Sequence, residues 1–158
     1  MTTDPALPPA LLDWSAYVRV ALAQMRPERG RRLGKAALDD FKDAVRADRL
    51  YVSPPFRLEA RYSALTAAQF DVLSEYLDDF RAAHGDADTW PLAEKAQREL
   101  ADNPSLSHRV APNDLLLAAI ASQHGLGILH YDSDFDLLAK HTTLDFESVW
   151  IAPAGSVD

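Results

Sequence analysis

The chain has 158 residues, 47% of them hydrophobic and 25% charged, with no cysteine and a formal net charge of −8. That length suits one domain with a real core; the lack of thiols excludes disulfides and thiolate zinc sites, and the negative charge excludes a protein that holds nucleic acid by bulk attraction. Met1 to Pro9 carries no basic segment or long apolar run, and no stretch nears the roughly 20 apolar residues of a membrane span, so we expect a cytoplasmic protein with no membrane contact.

In chain order, Leu11 and Leu12 follow Pro8 and Pro9 and suit a short buried strand ending near Asp13. From Ser15, the spacing of Val18, Ala21, Leu22 and Met25 predicts a helix. A basic loop follows, in which Arg26, Arg29, Arg31, Arg32 and Lys35 face a single acid, Glu28. It reads either as a solvated loop or as a local anchor for RNA backbone or an acidic partner. A second helix runs from Lys35 to about Asp48, with Leu38, Phe41 and Val45 on one face. Leu50 to Val52 is a short strand stopped by Pro54 and Pro55, and a brief helical turn passes through Phe56, Leu58 and Glu59.

Thr66 with Gln69 makes a capping box. It opens a helix carrying Phe70, Leu73, Leu77 and Phe80, which Gly85 is expected to close. Pro91 starts another helix, ending before Asn103 and Pro104. Pro112, Asn113 and Asp114 open a strongly apolar helix from Leu115 to about His124, stopped by Gly125. Ile128 and Leu129 form a strand, Asp134 to Lys140 a short helix, and Val149 to Ile151 a last strand. Short apolar strands alternating with helices predict an α/β fold with a central, mainly parallel sheet. Ligands of such sheets bind outside the carboxyl ends of the strands.

Four acids fall at that rim. Asp13 ends the first strand, Asp132 follows the Ile128–Leu129 strand, Asp114 sits in a first helical turn, and Glu59 follows the Val52 strand within a turn of helix. Crowded carboxylates repel and raise each other's pKa unless a cation binds. A hard Mg²⁺ or Mn²⁺ suits an all-oxygen donor set. Held there, it activates water and neutralises charge developing on a phosphodiester.

Each acid also has a structural reading: Asp13 as a helix cap, Asp114 as a partner of the helix dipole, Glu59 as a solvated acid. Asp132, Asp134 and Asp136 form a D-x-D-x-D run that could be an exposed cap. A calcium loop would put Gly and Glu at Leu137 and Thr143, so that reading fails. A haloacid-dehalogenase phosphatase would need later Lys and Asp motifs for which too little chain follows Asp132. His124 and His130 are not spaced as ligands and read as satisfied or exposed histidines. There is no glycine-rich phosphate loop and no G-x-S-x-G elbow.

The stretch P-N-D-L-L-L-A-A-I-A-S-Q-H-G-L-G-I-L-H-Y-D-S-D-F-D-L-L-A, Pro112 to Ala139, resembles the C-terminal half of PIN-domain toxins of the VapC family. L-L-D-W-S-A-Y-V-R, Leu11 to Arg19, resembles that family's first strand and helix, and S-P-P-F-R-L-E-A-R its second acidic motif. The resemblance implies a single PIN-like three-layer α/β/α sandwich across residues 1–158, with its core over about Leu11 to Ile151. It implies a Mg²⁺- or Mn²⁺-dependent RNA endonuclease, usually dimeric and usually inhibited by a cognate VapB antitoxin. Carried over by motif, Asp13, Asp114 and Asp132 are metal ligands, Glu59 assists, Asp134 binds metal or positions its neighbours, and Ser15 orients Asp13 or a bound water. Arg29, Arg31 and Arg32 are expected to contact RNA phosphates. The alternative is a PIN-like module that binds RNA or a partner without cutting. His130 and Tyr131 depart from the small residue, often Thr, that the family carries before its last acidic motif, and Trp14 is bulkier than usual beside Asp13.

Overall fold

Five short strands, β1 (Ala10–Leu12), β2 (Leu50–Val52), β3 (Arg81–Ala82), β4 (Gly127–His130) and β5 (Ser148–Trp150), form one sheet in the order β3-β2-β1-β4-β5. Every neighbouring pair is parallel, with Leu11 opposite Ile128 and Leu12 opposite Leu129 at the centre. The computed structural model describes residues 6–106 and 109–158; the start of the Met1–Pro9 stretch lies outside them. Strands β1 and β4 are buried along their whole length, as strands covered by helices on both faces must be. Leu11, Leu12, Ile128 and Leu129 are all 0% exposed, and each buried side chain of this size stabilises by about 1.5–3 kcal/mol.

The helices are α1 (Trp14–Met25), α2 (Lys35–Arg46), α3 (Pro54–Tyr62), α4 (Ala67–Asp78), α5 (Thr89–Ala101), α6 (Pro112–His124) and α7 (Ser133–His141). They complete the expected α/β/α sandwich. Several details differ from the sequence reading. Helix α1 buries Ala16, Val20 and Ala23 rather than the larger residues of the expected stripe, and Met25 is 74% exposed. Small side chains let α1 lie close on the sheet, so size misled the pattern. Helix α2 stops at Arg46 because Asp48 takes a left-handed φ of 52°, which a helix cannot accommodate. The turn around Glu59 is a full helix, α3, with its two prolines at the first positions, where a missing N–H costs nothing.

Thr66 Oγ1 accepts the Gln69 N–H at 3.2 Å, so Thr66 caps the helix as expected, while Gln69 Oε1 reaches past the cap to accept the Leu65 N–H at 2.8 Å. The helix that Thr66 opens ends at Asp78, however, and strand β3 stands before Gly85. Both β3 residues are exposed, so no apolar alternation announced it. Gly125 does close α6, in a left-handed conformation with φ 63°.

Parallel strands share one carboxyl edge. Asp13 leaves β1 there, and its N–H donates to Leu129 O at 3.0 Å. Helix α3 leaves β2 at the same edge, and Tyr131 and Asp132 leave β4. Helix α6 runs back toward the start of β4; its thirteen residues span about 20 Å, which returns Asp114 in its first turn to the carboxyl edge.

Candidate active site

Asp13 caps α1. Its Oδ2 accepts the Ser15 N–H at 2.9 Å and also the Ser15 hydroxyl. The side chain is 6% exposed. Burial pushes its carboxyl up to about 6, against the lowering effect of the Ser15 bonds and with a further push from Glu59. A buried carboxylate loses hydration, and a nearby like charge adds to that cost.

Asp114 is half-buried and shifted further, to about 7. Burial is the largest cause, followed by the charges of Asp13, Asp132, Glu59 and Asp134. Acids from three other segments, the end of β1, α3 and the start of α7, therefore converge on the Asp114 carboxyl group. The tightest part is a trio: Asp114, Asp132 and Asp134 each offer an oxygen, and these oxygens lie within 4.8 Å of one another. Asp13 stands outside that trio but is the foremost of the neighbouring charges acting on Asp114. The donor set is all carboxylate, mutually repelling and half-buried, which fits a hard divalent cation.

Asp132 caps α7, its Oδ1 accepting the Asp134 N–H at 3.0 Å. Asp13 and Asp132 are thus helix caps whose charges also act on Asp114. Glu59 is held from the side: its Oε2 accepts Asn113 Nδ2 at 2.9 Å, and the same amide reaches Pro55 O at 3.3 Å. Ser15 Oγ also accepts the Tyr131 N–H at 2.8 Å.

Sequence reasoning missed Asn113 and Arg19 as parts of this edge. Arg19 lies 4.0 Å over the Tyr131 ring and donates from Nη1 to Ser15 O at 2.9 Å. Both residues stand inside the family-like motifs, Asn113 directly before Asp114, so adjacency to an acid was the available signal. His124 is exposed and bonds His84 O at 2.7 Å, whereas His130 is fully buried with both ring nitrogens paired.

The basic loop is tied to the last residues of the chain. The Arg31 N–H donates to Asp158 Oδ2 at 2.8 Å, its guanidinium reaches Asp158 Oδ1 and Gly155 O, and Arg32 Nη1 lies 3.9 Å from Asp158 Oδ2. The adjoining Val157 N–H donates to the Tyr131 hydroxyl at 3.0 Å. The loop thereby connects, through residues 157 and 158, to the residue before Asp132. Arg29 is exposed and makes no contact with the acids among the described residues.

Residues 18–141 match the PIN domain family; the matched stretch takes in Glu59, Asp114, Asp132 and Asp134 and begins just after Asp13 and Ser15. Ribonuclease VapC18 of Mycobacterium tuberculosis is 35% identical over 147 residues, covering 92% of this chain and 97% of that protein. Ribonuclease VapC51 of the same organism is 38% identical over 101 residues, covering 64% of this chain and 71% of that protein. Among solved structures, a chain of the DNA-bound VapBC complex from Salmonella typhimurium superposes with a TM-score of 0.66 at 15% identity, covering 92% of this chain and all of that one. A chain of VapBC-5 from Mycobacterium tuberculosis gives 0.57 at 24% identity, with 92% and 100% covered. At these identities the structures speak for the fold alone, while the family match and the 35% relative decide membership. The chain belongs to the PIN-domain family, among its VapC members.

Proposed function

We propose that this chain is a divalent-metal-dependent RNA endonuclease, the toxin of a toxin–antitoxin pair. The observation that carries the reading is the trio Asp114, Asp132 and Asp134, whose carboxylate oxygens lie within 4.8 Å of one another, with burial and the neighbouring acids pushing Asp114 up to about 7. Such a cluster costs stability unless a cation is there to occupy it. The names of the relatives, ribonucleases VapC18 and VapC51, support RNA as the substrate class.

In this reading Asp114, Asp132 and Asp134, with Asp13 beside them, would hold Mg²⁺ or Mn²⁺. A bound Mg²⁺ or Mn²⁺ lowers the pKa of water and neutralises charge developing on a phosphodiester. The chain's own residues do the rest. Ser15 fixes the Asp13 carboxylate, and Asn113 fixes Glu59 for assistance at the same edge. While the cluster is uncompensated, Asp114, pushed up to about 7, keeps its proton into the neutral range, where Asp13, at about 6, is mostly ionised; a bound cation would favour the ionised form of both. Arg29, Arg31 and Arg32 supply local cations to a chain whose net charge of −8 repels RNA at long range.

The partners follow from the same reading: a VapB-like antitoxin and a second copy of the chain. Leu58, Tyr62, Leu65 and Val72 are between 67% and 91% exposed on and between α3 and α4, and apolar surface of this extent is usually covered by another protein. The test is incubation of the purified protein with total RNA, with and without Mg²⁺ or Mn²⁺, and mapping of the cut sites. Cleavage that needs the cation supports the reading. No cleavage at any cation concentration leaves a binding module instead.

A further inference from the structure

Behind the acidic edge runs a second line of polar groups. His130, the last residue of β4, is 0% exposed. Its ring packs against Phe135 and Trp150, with centroids 5.0 and 4.9 Å away. Burying an imidazole in such surroundings is costly unless both nitrogens are paired. Both are. Nδ1 accepts the backbone N–H of Asp132 at 3.0 Å, and Nε2 lies 2.6 Å from Ser148 Oγ. Ser148 Oγ stands 2.5 Å from Asp136 Oδ1, and Asp136 Oδ2 accepts the Trp150 indole N–H at 2.9 Å.

The direction of these bonds follows from the one donor that cannot reverse. A backbone amide only donates, so Nδ1 carries no proton, and the neutral ring carries its proton on Nε2. Nε2–H then donates to Ser148, and the single hydroxyl proton of Ser148 goes to the Asp136 carboxylate, which only accepts. The sequence of bonds leads from the backbone of Asp132 through β4 to β5 and back to α7. Asp132 itself sits in an extended conformation, φ −145° and ψ 124°, with Oδ1 committed to the Asp134 N–H. Its aim toward Asp114 therefore depends on how firmly its amide is held.

We propose that His130 is a positioning residue for Asp132, gripping its amide through Nδ1 while Ser148 and Asp136 lock the ring's tautomer. This rests on the reading of Asp132 as a cation ligand. Partners of ligands that do not touch the ion still affect its affinity by about 10–100-fold.

Two amide variants separate positioning from mere filling of the core. In His130→Asn the side-chain oxygen reaches the place of Nδ1 and can accept the Asp132 N–H. In His130→Gln the amide reaches the place of Nε2, satisfies Ser148, and leaves the Asp132 N–H without its acceptor. Calorimetric titration with Mn²⁺ should give His130→Asn an affinity near the parent's and His130→Gln one about tenfold weaker or more. Equal affinities for the two variants would overturn the proposal. Nitrogen-15 spectra of histidine-labelled parent, free of metal, should show His130 protonated on Nε2 alone at neutral pH; an Nδ1-protonated ring would also overturn it, even if a variant fails to fold. A parent that binds no Mn²⁺ would count against the metal reading of Asp132, and the grip on its amide would still stand or fall on the nitrogen-15 result.

Discussion

The hydroxyl of Ser15 accepts the backbone N–H of Tyr131 at 2.8 Å while donating its own proton to the Asp13 carboxylate. One side chain thereby joins the turn after β1 to the turn after β4, and it fixes Asp13 relative to the residue preceding Asp132. Ser15→Ala leaves the half-buried Tyr131 amide unpaired. We expect a loss of about 1–3 kcal/mol in urea unfolding and slower RNA cleavage. Ser15→Thr, which keeps the hydroxyl, should recover most of both.

The raised carboxyls of Asp13 and Asp114 make a signed prediction about pH. A group whose pKa is higher in the folded state holds its proton more tightly there, so it favours folding at low pH, and that contribution is lost as pH rises through the folded value. For Asp114 the window runs from about 4 to about 7. His130 works the other way: burial holds its pKa down to about 4, so its contribution is lost as pH falls below the usual histidine range. The difference between parent and variant isolates Asp114. Metal-free Asp114→Asn should match the parent near pH 4, melt progressively higher than the parent up to about pH 7, and keep a constant lead above it. A constant difference from about pH 4 to about pH 7 would mean that Asp114 carries no buried-charge penalty.

The Asn113 side-chain amide donates to Glu59 and to Pro55 O, while the clustered oxygens of the trio come from Asp114, Asp132 and Asp134. Asn113→Leu should therefore slow RNA cleavage, with Mn²⁺ affinity measured by calorimetry staying near the parent's. If Mn²⁺ affinity falls with the rate, Glu59 belongs to the cation site itself.

Arg31 and Arg32 share Asp158; the Arg31 pair is solvent-exposed, the Arg32 pair is long at 3.9 Å with Arg32 itself half-buried, and exposed pairs are worth about 1 kcal/mol or less. Replacing Arg29, Arg31 and Arg32 with Gln should thus change the melting temperature little. RNA binding should weaken, and the log–log dependence on salt should flatten by roughly 0.7 for each single-strand phosphate that no arginine neutralises any longer. Asp158→Asn, which releases Arg31 and Arg32, should strengthen binding. An unchanged salt slope in the triple variant would assign the loop to an acidic partner or to holding residues 155–158.

The strands β1 and β4 were legible because both faces of a central parallel strand are apolar, and α6 was legible because proline opens it and glycine closes it. Strand β3 was not, since two exposed residues carry no periodicity. Nor was the inner face of α1, where Ala16 and Ala23 pack and larger residues point elsewhere. At the acidic edge, the positions of Asp13, Asp114 and Asp132 followed from strand ends and a helix start. Ser15 was expected beside Asp13 and bonds it, but its reach to Tyr131 across 116 residues and the pairing of His130 with Ser148 on the neighbouring strand were not legible, since only the folded chain creates them.

If one acidic cluster both binds a divalent cation and cuts RNA, the two properties must be lost together. The direct measurement pairs Mn²⁺ titration with cleavage of a mapped RNA, using the same preparations of parent and Asp114→Asn. The parent should bind Mn²⁺ and cut only when it is present, and Asp114→Asn should stay folded while losing tight binding and cleavage together. Cleavage by the parent that persists in a chelator, or Mn²⁺ affinity and cleavage that survive in Asp114→Asn, would contradict the single-cluster reading.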